Sequence, residues 1–317
     1  MSSLASLFKH RTARTAFFMA VLVVFAWVMY GEVFLNLFNL RNILRQSSMI
    51  GLISLGMTLV VIGGGIDLSV GTMCALLSVA AAYLSQYGAA VAVGGTLALG
   101  LVLGLANGFL VAAMRIVPFI ATLATMMTFR GVVYILTDVQ SIAVPRSEKT
   151  FIAIGRGFFL GVPVPVWIFV IAVAALYFFS FSTRTGRQIF AIGDNEDAAR
   201  MMGINIVAVK MLTYMITGVL TAMAGIILTA RLGAGQPLGS DGWEMNAIAA
   251  VLIGGTLLSG GVGSVTGTFF GVLILGLISN IINLHGEINA FWQPIVTGLL
   301  LLGAVFMQWK PRRSARD

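Results

Sequence analysis

Gly56-Met-Thr-Leu-Val-Val-Ile-Gly-Gly-Gly-Ile-Asp-Leu-Ser-Val-Gly71 decides how this chain folds. An apolar run breaks on three consecutive glycines, passes one aspartate, and resumes as a second apolar run. Glycine ends helices because it enters a left-handed turn at no steric cost. An aspartate among apolar residues costs on the order of +2.5 to 3.5 kcal/mol at the centre of a membrane helix. Asp67 therefore needs compensation or an aqueous surface. One reading makes it the cap of a helix beginning at Leu68, its carboxylate accepting free backbone N–H groups. The other places Asp67, with Ser69, on a permeation path or at a moving contact. The residues alone favour the cap, and a cap at a helix break still carries mechanical weight.

A second run repeats the pattern: Ile253-Gly-Gly-Thr-Leu-Leu-Ser-Gly-Gly-Val-Gly263. The two hint at internal duplication, although most of the shared letters are glycine. Discontinuous helices of this kind build polar sites at membrane depth in transporters.

Composition places these breaks in a membrane. Of the 317 residues, 59% are hydrophobic and 9% charged, with a mean hydropathy of +1.00. Soluble domains carry about 25% charged residues, so a soluble enzyme, a disordered tail and a disulfide scaffold are all excluded. The formal charge of +8 does not indicate nucleic acid, because the basic residues flank apolar segments, where they orient a membrane protein. The lone Cys74 cannot form an intramolecular disulfide. The run Thr15 to Tyr30 imitates a signal peptide, but no small-x-small cleavage site follows it, and an uncleaved first span is the better reading.

A span needs about 20 apolar residues. Candidates fall near 15–35, 47–64, 70–87, 90–113, 117–137, 163–181, 211–231, 244–259, 263–283 and 290–308. The second and eighth are short and border glycine clusters. The expected fold is an all-α polytopic membrane protein, a single permease domain over 1–317 with about ten spans, nine and eleven staying open. With both termini inside, Lys9, Arg11, Arg14, Arg115, Arg184, Arg187, Arg200, Lys210, Lys310, Arg312, Arg313 and Arg316 are cytoplasmic. Arg41, Arg45, Arg146, Lys149, Arg156 and Arg231 stay outside, half as many, and the positive-inside rule favours this orientation. Asn36 to Arg45 reads as a short amphipathic helix at the outer interface.

Residues 138–162 form an outside loop and 182–210 the largest polar segment, facing the cytoplasm. In the latter, a short helix follows Asp194 or Asn195 as N-cap, with Glu196 and Asp197 in its first turn and Gly203 ending it. Ala198 and Ala199 leave a smooth face beside Met201 and Met202. The segment is either a solvated loop helix or one that docks into a groove on a cytoplasmic partner. Arg130 sits in the middle of its span, and either pairs with a carboxylate or with carbonyls, or forms a polar wall for a solute. Asn107, Asn280 and Asn283 read as interhelical hydrogen bonds, and Asn107 also stands with Asp67, Ser69 and Arg130 as a candidate for the translocation path or the helix break. No Walker-type phosphate loop and no His-Glu-x-x-His occur, and the two histidines are His10 and His285. Nothing suggests catalysis, a cofactor or a metal.

Four runs resemble one family in order along the chain: Gly56 to Gly71, Pro118 to Gly131, Thr183 to Gly203, and Ala247 to Gly263. The chain is similar to the permease subunit of bacterial ABC sugar importers, the ribose, xylose, arabinose and galactofuranose group. Asp194 stands where that family has a second glycine, and 138–158 is variable ground. The resemblance implies a multi-pass protein of the bacterial inner membrane, paired with a second copy or a homologous sister. It implies two further partners, a cytoplasmic ABC ATPase subunit and a periplasmic sugar-binding protein. By the same resemblance Asn195, Glu196, Asp197, Ala198, Ala199, Arg200 and Gly203 form the ATPase contact. Gly254 to Gly263, Gly286-Glu287 and Trp292 look closest to a galactofuranose permease, with ribose and then xylose behind. An ABC permease for branched-chain amino acids or nucleosides stays open, as does an ion-coupled secondary transporter, for which Asp67 and Arg130 are thin material. A purely structural scaffold leaves the capped cytoplasmic helix unexplained.

Overall fold

The computed structural model describes residues 11–286, 289 and 291–308, without the side chains of Arg11 and Met307. Lys9, His10, Glu287, Lys310, Arg312, Arg313 and Arg316 lie outside the described residues.

Within them the chain runs α1 (Arg11–Leu35), α2 (Leu37–Ile62), α3 (Val70–Ser85), α4 (Ala89–Gly108) with a π-helical turn (Phe109–Ala113), and α5 (Pro118–Thr137). It continues as α6 (Lys149–Arg156), α7 (Val164–Ser182), α8 (Arg184–Asp194), α9 (Glu196–Met201) and α10 (Ile206–Leu232). The last helices are α11 (Trp243–Ile253), α12 (Val265–His285) and α13 (Trp292–Gln308). Seven helices are long and apolar enough to cross a membrane, and α3, α11 and α13 are shorter apolar ones. The chain is a helical, multi-pass membrane protein. Two small antiparallel pairs modify the all-α expectation: β1 (Ile142–Ala143) with β4 (Ala234–Gly235), and β2 (Phe158–Phe159) with β3 (Val162–Pro163).

Helices α2 and α10 form the centre, with 83% and 67% of their apolar windows buried against 11% for α1. Helix α4 packs on α10 through a stripe of glycines. A Cβ at Gly104 would overlap the Tyr214 carbonyl oxygen, and one at Gly218 the Gly100 carbonyl. Without a hydrophobic drive between helices in lipid, such close backbone approach supplies the attraction.

The structure corrects three expectations. Residues 36–45 are not a separate interfacial helix; they are the first turns of α2, which makes the expected short second span 26 residues long. No glycine or proline interrupts this stretch. Asn36 caps it by accepting the Phe38 N–H at 2.8 Å, and Ser48 Oγ donates back to the Leu44 carbonyl at 2.7 Å. The eighth span is 11 residues, not the stretch 244–259, because Gly254 and Gly255 end α11. Helices α6 and α8 were not foreseen in the polar segments; both are strongly amphipathic, with few residues to show the period.

Hydrogen bonds sort the elements between two ends. At one, Thr15 Oγ1 donates to the Ile253 carbonyl at 3.2 Å and Gln308 Nε2 to the Thr256 carbonyl at 3.0 Å. The start of α1, the end of α13, both glycine breaks and the 182–210 segment share this end. At the other, β1 meets β4, Arg156 Nε donates to the Arg231 carbonyl at 2.7 Å, and Arg41 and Arg45 lie over the Phe158 ring at 5.0 and 5.2 Å. Arg41, Arg45, Arg156 and Arg231, four of the six basic residues expected outside, share this second end.

Candidate functional site

Both glycine breaks end their helices in the same way. Gly63 N–H donates to Leu59 O, Gly64 N–H to Val61 O and Gly65 N–H to Val60 O, at 3.0, 3.0 and 2.9 Å. Gly254, Gly255 and Thr256 repeat the pattern onto Ala250 O, Leu252 O and Val251 O, at 2.9, 2.9 and 3.2 Å. Gly64 and Gly255 both take positive φ, 80° and 90°, which satisfies the last carbonyls of each helix. The breaks also touch: Gly261 N–H donates to the Ile62 carbonyl at 2.9 Å.

The polar segment 182–210 sits on this junction. Thr183 Oγ1 accepts the Gly186 N–H at 3.0 Å and starts α8, whose Ile189 and Ile192 are buried. Near its end, Gly193 lies flat on the breaks. A Cβ there would overlap both the Ile62 carbonyl oxygen and the Gly261 nitrogen, and Gly260 packs against Gly193 and Gly64 backbone. Only backbone fits in this joint, so any shift of α8 is felt directly by the end of α2 and by the loop after α11.

Asn195 then caps α9, its Oδ1 accepting the Ala198 N–H at 2.9 Å, and Gly203 ends the turn with φ 78°. Asp197 and the cap are exposed, and Arg200 and Lys210 grip Glu196, Nη2–Oε1 at 3.2 Å and Nζ–Oε2 at 2.6 Å. The Lys210 hydrogen bond outweighs desolvation and holds the Glu196 carboxyl below the usual carboxylate range. The outward face differs from expectation. Ala199 is fully buried in the core and Ala198 half-buried, while Met201 and Met202 are 84% and 70% exposed. Helical geometry explains it: Ala199 packs inward beneath the cap, which leaves the two methionines as the accessible apolar surface. Arg115, Glu196, Arg200 and Lys210 line a cavity of about 420 Å³.

Asp67 is buried and supports the start of α3, although not as the cap itself. The helix begins at Val70 with Ser69 in the N-cap position; Asp67 Oδ1 accepts the Ser69 N–H at 2.9 Å and the Ser69 hydroxyl at 2.6 Å. Asn107 Nδ2 donates to Ser69 Oγ at 2.7 Å, and the Leu68 N–H to Thr122 Oγ1 at 3.1 Å. One polar knot thus ties α3, α4 and α5 together. Asp67 Oδ2, Asn107 Oδ1 and the Tyr214 hydroxyl are buried with no hydrogen-bond partner among the described residues. Asn280 pairs reciprocally with Asn39, and Asn283 accepts from Gln293.

Arg130 stands apart from that knot. Its Nη2 meets Asp241 Oδ1 at 3.0 Å, and the two side chains are 38% and 53% exposed. Asp241 and the nearby Glu244 escaped the sequence reading because Ser240-Asp-Gly-Trp-Glu244 looked like the edge of a span; the signal was two carboxylates within an apolar context. Among the described residues no group of three or more His, Cys, Asp or Glu is placed to hold a metal ion.

Apolar helices, two of which stop on glycine at one end of the bundle with a capped polar loop seated on the stops, define a polytopic membrane protein. The chain belongs to the family described as branched-chain amino acid transport system / permease component, whose model matches residues 39–305. It is 43% identical to the ribose import permease protein RbsC of Bacillus subtilis (strain 168) over 87% of this chain and 86% of that one. The ribose import permease protein RbsC of Escherichia coli (strain K12) is 42% identical over 87% of each chain. The xylose transport system permease protein XylH of the same strain is 32% identical over 93% of this chain and 91% of that one. No solved structure matches the chain.

Proposed function

We propose that this chain is the membrane permease subunit of an ATP-driven importer of a monosaccharide, working in the bacterial inner membrane. The observation that carries the reading is the identity of 43% and 42% to ribose import permeases along nearly nine-tenths of the chain. Ribose is the leading cargo and xylose the next; the galactofuranose expectation gains no support from these relatives. The chain supplies no phosphate-binding loop, so ATP hydrolysis falls to a separate subunit.

In this reading the molecule is one permease domain of ten spans, the seven long apolar helices and the three shorter ones, with both termini inside. The end that holds both glycine breaks faces the cytoplasm, and Met201 and Met202 on α9 meet the ATPase, with Asn195, Glu196, Asp197, Arg200 and Gly203 holding that helix in shape. Closure of the ATPase pair pushes α8 and α9, and Gly193 passes the push to α2 and α11. A second copy or a sister permease completes the pathway, and a periplasmic binding protein delivers the sugar. Asp67, Ser69 and Asn107 act as the hinge knot at the base of α3.

The family description favours one other cargo class, branched-chain amino acids. Proteoliposomes carrying the chain with its ATPase and binding protein decide between them. ATP-dependent uptake of labelled ribose or xylose but not leucine supports the proposal; leucine uptake replaces it with the other cargo. Uptake by the chain alone, driven by an ion gradient, overturns it.

A further inference from the structure

The Arg130–Asp241 ion pair sits where lipid would not tolerate it. Arg130 is the thirteenth residue of α5, about 18 Å from its start at 1.5 Å per residue. Helix α11 is 11 residues long and ends at the Thr15 and Gly261 end of the molecule, so its first turn lies about 15 Å above that end. Both measures put the pair near the middle of a hydrocarbon core roughly 30 Å thick. A charge pair left more than one-third exposed at that depth faces water or protein rather than acyl chains.

The surroundings are built, not incidental. The segment that carries Asp241 descends from β4 at the far end, and Ser240 Oγ donates to the Gly71 carbonyl at 2.8 Å. Glu244, in the first turn of α11, is 7% exposed, and its Oε2 is buried without a hydrogen-bond partner among the described residues. That oxygen lies against Gly71, where a Cβ would overlap it. The sequence thus keeps a carboxylate at a place where only glycine opposite leaves it room.

We propose that Arg130 and Asp241, with Glu244 buried behind them, form a hydroxyl-binding subsite on the translocation path, taking a polyhydroxylated neutral solute. A guanidinium donates in a planar fork and a carboxylate accepts from two adjacent hydroxyls, so the set matches a vicinal diol. The pair neutralises itself when the solute leaves, which keeps the site from trapping it. This subsite rests on the importer reading given above.

Substituted-cysteine labelling in the complete reconstituted transporter tests it. The native Cys74 is buried and gives a silent background. Asp241→Cys, and separately Met245→Cys, an exposed position in the first turn of α11 outside the ion pair, are treated with a charged, membrane-impermeant methanethiosulfonate. The subsite predicts labelling from water at both positions, slowed by ribose or xylose during turnover. It also predicts that Glu244→Gln and Asp241→Asn slow uptake by about ten-fold, the equivalent of one charge-assisted hydrogen bond. No aqueous labelling at either cysteine, as when a second copy covers the face, overturns the subsite. Labelling without sugar protection while wild-type protein imports sugar overturns it alone. If wild-type protein imports no monosaccharide, the importer reading falls and the subsite with it.

Discussion

The carbonyl oxygen of Ile62 accepts the Gly261 N–H at 2.9 Å, so the end of α2 and the loop after α11 are one joint. Gly193 rests on both partners of that bond. A motion transmitted through side chains would be softened by their rotamers; backbone on backbone has no such slack.

Gly193→Ala is therefore the most informative substitution in the loop. Its Cβ meets two backbone atoms that cannot rotate away, and overpacking of this kind costs roughly 1–3 kcal/mol. The expected outcome is a lowered melting temperature with transport lost more steeply than stability. Gly94→Ala, in a helix with open space around it, is the control: a few tenths to about 1 kcal/mol of stabilisation and unchanged uptake. Equal behaviour of the two variants in a thermal melt and an uptake assay would remove Gly193 from the joint.

Met201→Asp with Met202→Asp should abolish binding of the ATPase subunit while leaving the permease folded. Both side chains are exposed, so the fold loses little, whereas an apolar contact receiving two carboxylates is not formed. Co-purification measures it. Ala199→Ser should act in the opposite way, since Ala199 is buried: stability falls and the contact surface itself is untouched.

The Glu196–Lys210 pair gives the loop a pH dependence. Because Lys210 holds the Glu196 carboxyl below its ordinary range, the pair contributes stability above that ordinary value and loses it as pH falls through the lower folded value. Protection of the α9 amides, measured relative to intrinsic exchange at each pH, should hold at neutral pH and fall only in acid. Lys210→Met removes the cause, so the loss of protection should begin at higher pH. An unchanged profile would mean that the pair does not steady α9.

Asp67 separates a structural from a path role. Asp67→Ala strips the acceptor from the Ser69 N–H and hydroxyl, at a cost of about 1–3 kcal/mol for buried groups left unpaired. Asp67→Asn keeps an acceptor oxygen and should retain most of the stability and most of the transport. Melting temperature and uptake measured on one preparation decide: a stable Asp67→Asn protein without transport would put Asp67 on the path.

Much of this architecture was legible in the sequence because membrane helices obey few rules. Length and hydropathy located most of the apolar helices, and Asn195, Glu196 and Gly203 marked α9 through the common chemistry of caps. What escaped depended on contacts distant in sequence. Nothing local shows that Ala199 faces inward, that Gly193 lies on Ile62, or that Asp241 waits opposite Arg130. The first turns of α2 were misread because Arg41 and Arg45 look interfacial in isolation; stacking on Phe158 places them at the end of a continuous helix.

The most direct measurement is sugar-dependent ATP hydrolysis by the reconstituted complex, wild type beside the Met201→Asp, Met202→Asp double variant. The account predicts that ribose or xylose with its binding protein stimulates hydrolysis in the wild type and has no effect in the variant, which no longer holds the ATPase. Stimulation equal in both, or an ATPase that never assembles with the wild-type chain, would contradict it.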